Sequence, residues 1–223
     1  MTAVPTDDLA DPVTSDGRTP GARGRATRQR LLDETAAALR TTAYRDVAVV
    51  DVAKAAGTSA ATFYQYFKGI EDAVLVLAAE VVVDGADRLV APVRGAPWRG
   101  ETGLAAATAV VDSFLAFYTD HRPLLRVMDL GTEEGDQRFK QVRGRLFIDV
   151  TDALTERVAR EIEEGHHPAD AEPRSIEGAM TSMLAHVAAH QYGFEIHGMR
   201  IGDTRTAMAR ILFATVTGGP VPQ

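Results

Sequence analysis

Apolar residues recur at helical spacing along most of the chain. Leu32, Thr35, Ala36 and Leu39 fall on one face of a first helix, with Thr27 placed to cap its start. Tyr44 and Val47 lead into Val49, Val52, Ala53 and Ala56, which are spaced for a short second helix. Gly57 stops that helix, because glycine takes the left-handed conformation that helix ends commonly need. Ser59 caps a third helix from Ala60 to Phe67, and Lys68-Gly69 make another turn. A long fourth helix runs from Glu71 to Val90, where Glu71 and Asp72 suit the positive end of the helix dipole. Two prolines and two glycines make residues 91–100 a loop. Five further helices are predicted over residues 102–120, 123–130, 136–164, 173–197 and 203–217, separated by segments rich in glycine and proline. No segment alternates with period two between hairpin signals, so no sheet is expected. The predicted fold class is all-α: an N-terminal three-helix helix-turn-helix domain followed by a six-helix body. The expected divisions are a disordered, basic-ended tail over 1–24, a small helical domain over 25–70 and a larger helical domain over 71–223.

Charge sharpens this division. The total is −7, but residues 1–16 carry four acids and no base. Residues 17–70 carry nine bases and four acids, which leaves −8 for residues 71–223. A basic end joined to an acidic body suits a chain whose N-terminal part meets a polyanion. The 223 residues contain no cysteine, which excludes thiolate metal sites and a cysteine nucleophile and fits a reducing cytoplasm. The N-terminus lacks the basic start and apolar stretch of a secretory signal. No apolar run approaches the ~18 residues of a membrane span, and residues 73–83 come nearest. The expected location is cytoplasmic, with no membrane partner.

The stretch from Val49 to Phe67 carries the chemistry. Two short helices flank a tight glycine turn, and the small residues Ala53 and Ala56 let them cross steeply. The second helix is then presented outward as a recognition helix. Ala61, Phe63 and Phe67 are expected to face the core. Thr62, Tyr64, Gln65 and Tyr66 are hydrogen-bonding types without net charge, suited to reading base edges or gripping phosphates in a major groove.

This stretch resembles the N-terminal signature of the tetracycline-repressor (TetR) family. Val52-Ala53-Lys54-Ala55-Ala56-Gly57-Thr58-Ser59 and Thr62-Phe63-Tyr64-Gln65-Tyr66-Phe67 match it position by position, and the likeness covers about 45 residues, from Arg28 to Asp72. The resemblance implies DNA contacts from Ser59, Thr62, Tyr64, Gln65 and Tyr66, and phosphate contacts from Arg25 and Arg28. Three positions depart from the pattern. Ala48 stands where a Ser or Thr usually caps the second helix, a loss of ~1 kcal/mol. Val50 replaces a commonly polar or basic residue. Ile70 replaces the usual lysine, with Lys68 two residues earlier as the nearby base.

The body has two tasks, dimerisation and sensing. Gly178, Ala185, Ala189 and Gly193 permit close helix approach, and Met208, Ile211, Leu212 and Thr215 make an apolar stripe. The resemblance implies a homodimer joined through these last two helices. Phe114, Phe117, Tyr118, Leu125, Met128, Phe147, Met180, Met183 and Val187 are candidates for a deformable apolar pocket holding a small, lipophilic effector. His186 and His190 lie four apart, with His197 near the end of the same predicted helix, but no third ligand is evident and no metal is expected. His121 is expected to complement a helix C-terminus, and His166 and His167 to lie in a solvated loop. No phosphate loop, dinucleotide fingerprint, zinc-protease motif or nucleophile elbow is present, so neither catalytic residues nor a cofactor are expected. The expected function is a ligand-responsive transcriptional regulator, a repressor, binding a palindromic double-stranded DNA operator as a dimer. The alternative is a small-molecule-binding or protein-interaction module whose DNA binding is weak or lost.

Overall fold

The computed structural model describes residues 20–95 and 97–222, apart from the side chains of Glu195 and His197. The acidic segment 1–16, Arg18 and the His197 ring therefore lie outside the described residues. Within them are nine α-helices and no strand. They are α1 (Ala22–Thr41), α2 (Val49–Ala55), α3 (Ala60–Tyr66), α4 (Ile70–Arg94), α5 (Gly100–Asp120), α6 (Arg122–Glu133), α7 (Gln137–Glu163), α8 (Pro173–His190) and α9 (Ile201–Thr217). Short 3-10 segments occupy Tyr44–Asp46 and Gln191–His197. The chain forms two compact units: one runs to Val82 and includes Pro123–Arg143, and the other comprises Val83–Arg122 and Gly144–Gln223.

The first unit closes around Leu31, Leu32, Val52, Ala53, Ala56, Phe63, Phe67, Ala73 and Leu77. Leu124 of α6 packs on the same cluster, so the core draws on a segment far along the chain. Helix α1 starts at Ala22, inside the expected tail, with Gly21 at its N-cap and no side-chain cap. Thr27 is not the cap. Its hydroxyl donates to the Arg23 carbonyl (3.1 Å), within the helix. In the same unit, Arg138 gathers Asp136 (2.7 Å), Glu71 (2.9 Å) and Asp72 (3.5 Å). Arg45 pairs with Glu134. Burial, with the nearby Glu71 carboxylate, pushes the Tyr44 phenol up to about 12.

The second unit is built on α5. Among the described residues it alone is long and apolar enough to cross a membrane, whereas the sequence pointed to residues 73–83. It is a core helix here: Val110, Phe114 and Phe117 are fully buried, and it packs against α8 and α9. Residues 91–94, expected in a loop, extend α4 and place Pro92 in its last turn. Trp98 explains the extension. Its ring is buried and its indole N–H donates to the Val93 carbonyl (2.9 Å), which holds the last turn of the helix. The α-helix expected over 173–197 ends at His190 and continues as a 3-10 segment. The Gln191 amide there donates to the carbonyls of Ala188 (3.0 Å) and Leu115 (3.2 Å). His121 follows α5 as its C-cap, and its Nε2 faces Asp84 at 2.8 Å.

The end of α7 carries a charged cluster. Glu161 is fully buried and is met by Arg99 (3.2 Å), by Arg157 and by His166 (2.7 Å). Glu161, Glu164 and His166 have the spacing of metal ligands, but the two guanidiniums already neutralise the buried carboxylate. His167 is half-buried rather than solvated, with Nε2 3.2 Å from the Val216 carbonyl.

Candidate nucleic-acid interface

Helices α2 and α3 meet at a turn closed by local backbone hydrogen bonds. Gly57 adopts φ +68°. The Gly57 N–H donates to the Lys54 carbonyl (3.1 Å) and the Thr58 N–H to the Ala53 carbonyl (2.9 Å). This pair of bonds is a Schellman ending, and only glycine enters it without strain. Arg30 of α1 adds a donor from outside, with Nε 3.4 Å from the Ala56 carbonyl. Ser59 then opens α3: its hydroxyl accepts from the Thr62 N–H (3.2 Å) and lies 3.1 Å from the Thr62 hydroxyl. Ala48 leaves the start of α2 without a side-chain cap, as the sequence indicated.

Phe63 and Phe67 anchor α3, with ring centroids 5.4 Å apart in the core. One helical turn links them, so the opposite face is set by period. Ala61, Tyr64, Gln65 and, just beyond the helix, Lys68 are exposed at the spacing i, i+3, i+4, i+7. Tyr64 is 53% exposed. The expectation that Ala61 faces the core is corrected here: it lies two residues before Phe63, about 200° around the helix, and is solvent-facing.

The other candidates divide. Ser59 is exposed but occupied as a cap, and Thr62 is half-buried. Tyr66 is half-buried and packs against the core cluster. Its hydroxyl comes within 3.2 Å of where a Cβ on Gly24 would stand, so α1 passes close over it at a glycine. Arg25 is exposed and donates to the Pro20 carbonyl (2.9 Å). Arg28 is not a free arm residue. Its guanidinium lies over the Phe67 ring, 5.3 Å from the centroid. Burial lowers its pKa from the usual arginine value, opposed by the Glu80 carboxylate. Val50 stands 64% exposed at the start of α2. The roles of Ala61, Arg30 and Gly24 were not foreseen. Ala61 was legible from the helical period, whereas the two α1 residues act through long-range packing that leaves no local pattern.

The candidates for effector binding fall in both units. Phe114, Phe117, Tyr118 and Phe147 are buried in the second, with Phe114 stacked parallel to Phe147 at 6.3 Å. Met180, Met183 and Val187 are half-buried on α8. Leu125 and Met128 are buried in the first unit. Of the dimerisation candidates, Ala185, Met208 and Leu212 are buried within their own subunit. The helices that carry them, α8 and α9, pack on α5. Gly178, Ala189, Gly193 and Thr215 are half-buried, and Ile211 is 46% exposed. The His186 and His190 rings stack at 4.2 Å, and His190 Nδ1 lies 2.8 Å from the His186 carbonyl.

A core-anchored recognition helix behind a glycine turn, with helices and no strand among the described residues, defines a helix-turn-helix DNA-binding regulator. Family models agree over nearly the whole described chain. Residues 31–77 match that of the bacterial regulatory proteins of the TetR family, and residues 89–223 match that of the tetracyclin repressor-like C-terminal domain. The chain belongs to the TetR family of transcriptional regulators. Solved structures share the fold. The fatty acid degradation regulator FadR from Bacillus halodurans is 17% identical, with a TM-score of 0.62 over 91% of this chain and 98% of its own. A TetR-family regulator from Streptomyces coelicolor is 18% identical, with a TM-score of 0.66 over 88% of this chain and 82% of its own. FadR from Bacillus subtilis, in complex with stearoyl-CoA, is 16% identical, with a TM-score of 0.60 over 86% and 98%. No curated protein matches the chain.

Proposed function

We propose that this regulator is a repressor that binds a palindromic operator as a homodimer and is released when a small lipophilic effector enters the helical body. The observation that carries the DNA half of the reading is the exposed stripe Ala61, Tyr64, Gln65 and Lys68 on a helix whose other side is locked into the core. Dimeric helix-turn-helix proteins meet half-sites one helical turn, ~34–36 Å, or a multiple of it apart, which a palindrome supplies. The half-buried and exposed positions of α8 and α9, with Ile211 foremost, support the dimer face. Buried aromatic rings and half-buried methionines on α5, α7 and α8 support an apolar effector. The stearoyl-CoA complex of the FadR relative from Bacillus subtilis supports an acyl compound as its class. Helix α4 contributes to both units, being in the first through Val82 and in the second from Val83, and serves as the transmitter. An effector that prefers the released state shifts the population by its differential affinity.

The test is binding of the full chain to the intergenic DNA upstream of its own gene, titrated against salt. Tyr64→Ala is expected to weaken operator binding about ten-fold or more, at the scale of one lost base or phosphate anchor, and to leave effector affinity intact. Affinity is expected to fall steeply with salt. Binding no tighter than to a random duplex would favour the DNA-silent module, the reading to which the exposed Val50 points.

A further inference from the structure

We propose that α3 reads its half-site at A·T pairs, through Gln65 on adenine and Ala61 with Tyr64 against thymine methyl groups. This rests on the DNA-binding reading above and names the bases that site accepts. The argument comes from which side chains the fold leaves outward. Helix α3 contains no charged residue. Its exposed members are Ala61, Tyr64 and Gln65. Guanine presents two acceptors in the major groove and is read above all by the paired donors of Arg or the ammonium of Lys. Neither stands on this helix. Adenine presents an acceptor beside a donor, the complement of a carboxamide, so Gln65 fits it in two bonds. The thymine methyl favours apolar contact, which the Ala61 methyl and the Tyr64 ring edge supply.

Apart from the exposed Tyr64 hydroxyl, the other polar side chains of this turn and helix are engaged within the fold. The hydroxyls of Ser59 and Thr62 lie 3.1 Å apart inside the capping turn. Tyr66 packs on the core beside Gly24. Lys68, the one base on the stripe, follows the helix end, and its backbone N–H donates to Asp72 (2.9 Å). At that rim it meets phosphate and sets affinity without choosing bases.

Selection of the full chain on a pool of random duplexes at fixed salt tests this. The expected result is enrichment of A·T pairs in each half-site, at one position of which adenine beats guanine by about five-fold or more. Gln65→Arg is expected to move that one position to guanine and leave the others unchanged. Because Gln65 is exposed, the variant folds, as an unchanged thermal transition by circular dichroism would verify. Replacing thymine by uracil in the selected site, which removes only the methyl, is expected to weaken the wild-type complex several-fold. Enrichment of guanine by the wild-type chain at the position that Gln65→Arg alters, or no position altered by it, would overturn the proposal. Salt-sensitive retention of the pool without any enrichment would also overturn it, while leaving DNA binding in place. No retention at low salt would bring down the DNA-binding reading itself.

Discussion

Gly57→Ala isolates the conformational demand of the helix-turn-helix. A Cβ built at Gly57 meets no atom within 4 Å, so substitution introduces no clash. What it introduces is an L-residue at φ +68°. The left-handed conformation costs a non-glycine residue roughly 1–2 kcal/mol. Alanine also stiffens the unfolded chain, which returns about 0.4–1 kcal/mol. The net loss is about 0.8 kcal/mol at the middle of these ranges. It falls on the turn held by the Gly57 and Thr58 N–H bonds to Lys54 and Ala53. Amide hydrogen exchange of peptides within residues 49–67 reads it directly as local opening, expected to accelerate about two- to ten-fold. Gly57→Asn is expected to lose less than half as much, because asparagine tolerates this region. Unchanged exchange in Gly57→Ala, or an asparagine variant as fast as the alanine one, would refute the argument. Either result would mean that tertiary packing, not the left-handed residue, holds the turn.

Gly103→Ala tests the opposite case, because its Cβ would stand 2.5 Å from the Trp98 carbonyl carbon and 2.8 Å from the Phe213 ring. Overpacking of this kind is expected to lose about 1–3 kcal/mol and to lower the urea midpoint followed by fluorescence of Trp98, the single tryptophan. At the other charged cluster, the Arg138 guanidinium holds the Asp136 carboxyl below the usual carboxylate range. Arg138→Gln is expected to return that carboxyl toward its ordinary value by carbon-13 titration. A depressed folded-state pKa gives stability that is full above about pH 4 and lost as pH falls through the folded value. The stability gap between wild type and variant should therefore close on acidification, and a gap that widens would contradict it.

The sequence by itself determined the helical class, the two short helices and the turn between them. Those features are local: Gly57 needs its own φ, Ser59 bonds three residues ahead, and Phe63 and Phe67 lie one turn apart. The family was legible for the same reason, since its signature is a run of neighbours at fixed spacing. Helix ends were less legible where distant residues hold them. Trp98 carries α4 past Ala91, and α1 begins at Ala22 rather than at Thr27.

Only the tertiary structure decided which side chains remain free. Arg28 folds over Phe67 and Tyr66 packs beneath α1, so neither stands where a local pattern placed it. Met208 and Leu212, read as part of a stripe for a partner, are buried within their own subunit on a helix that packs on α5. The aromatic residues of α5 and α7 lie in one compact unit and the apolar residues of α6 in the other, a division that no local pattern carries. A helix shows in sequence that it has an apolar face. It does not show which neighbour covers that face, because burial is non-directional and depends on chain segments a hundred residues away.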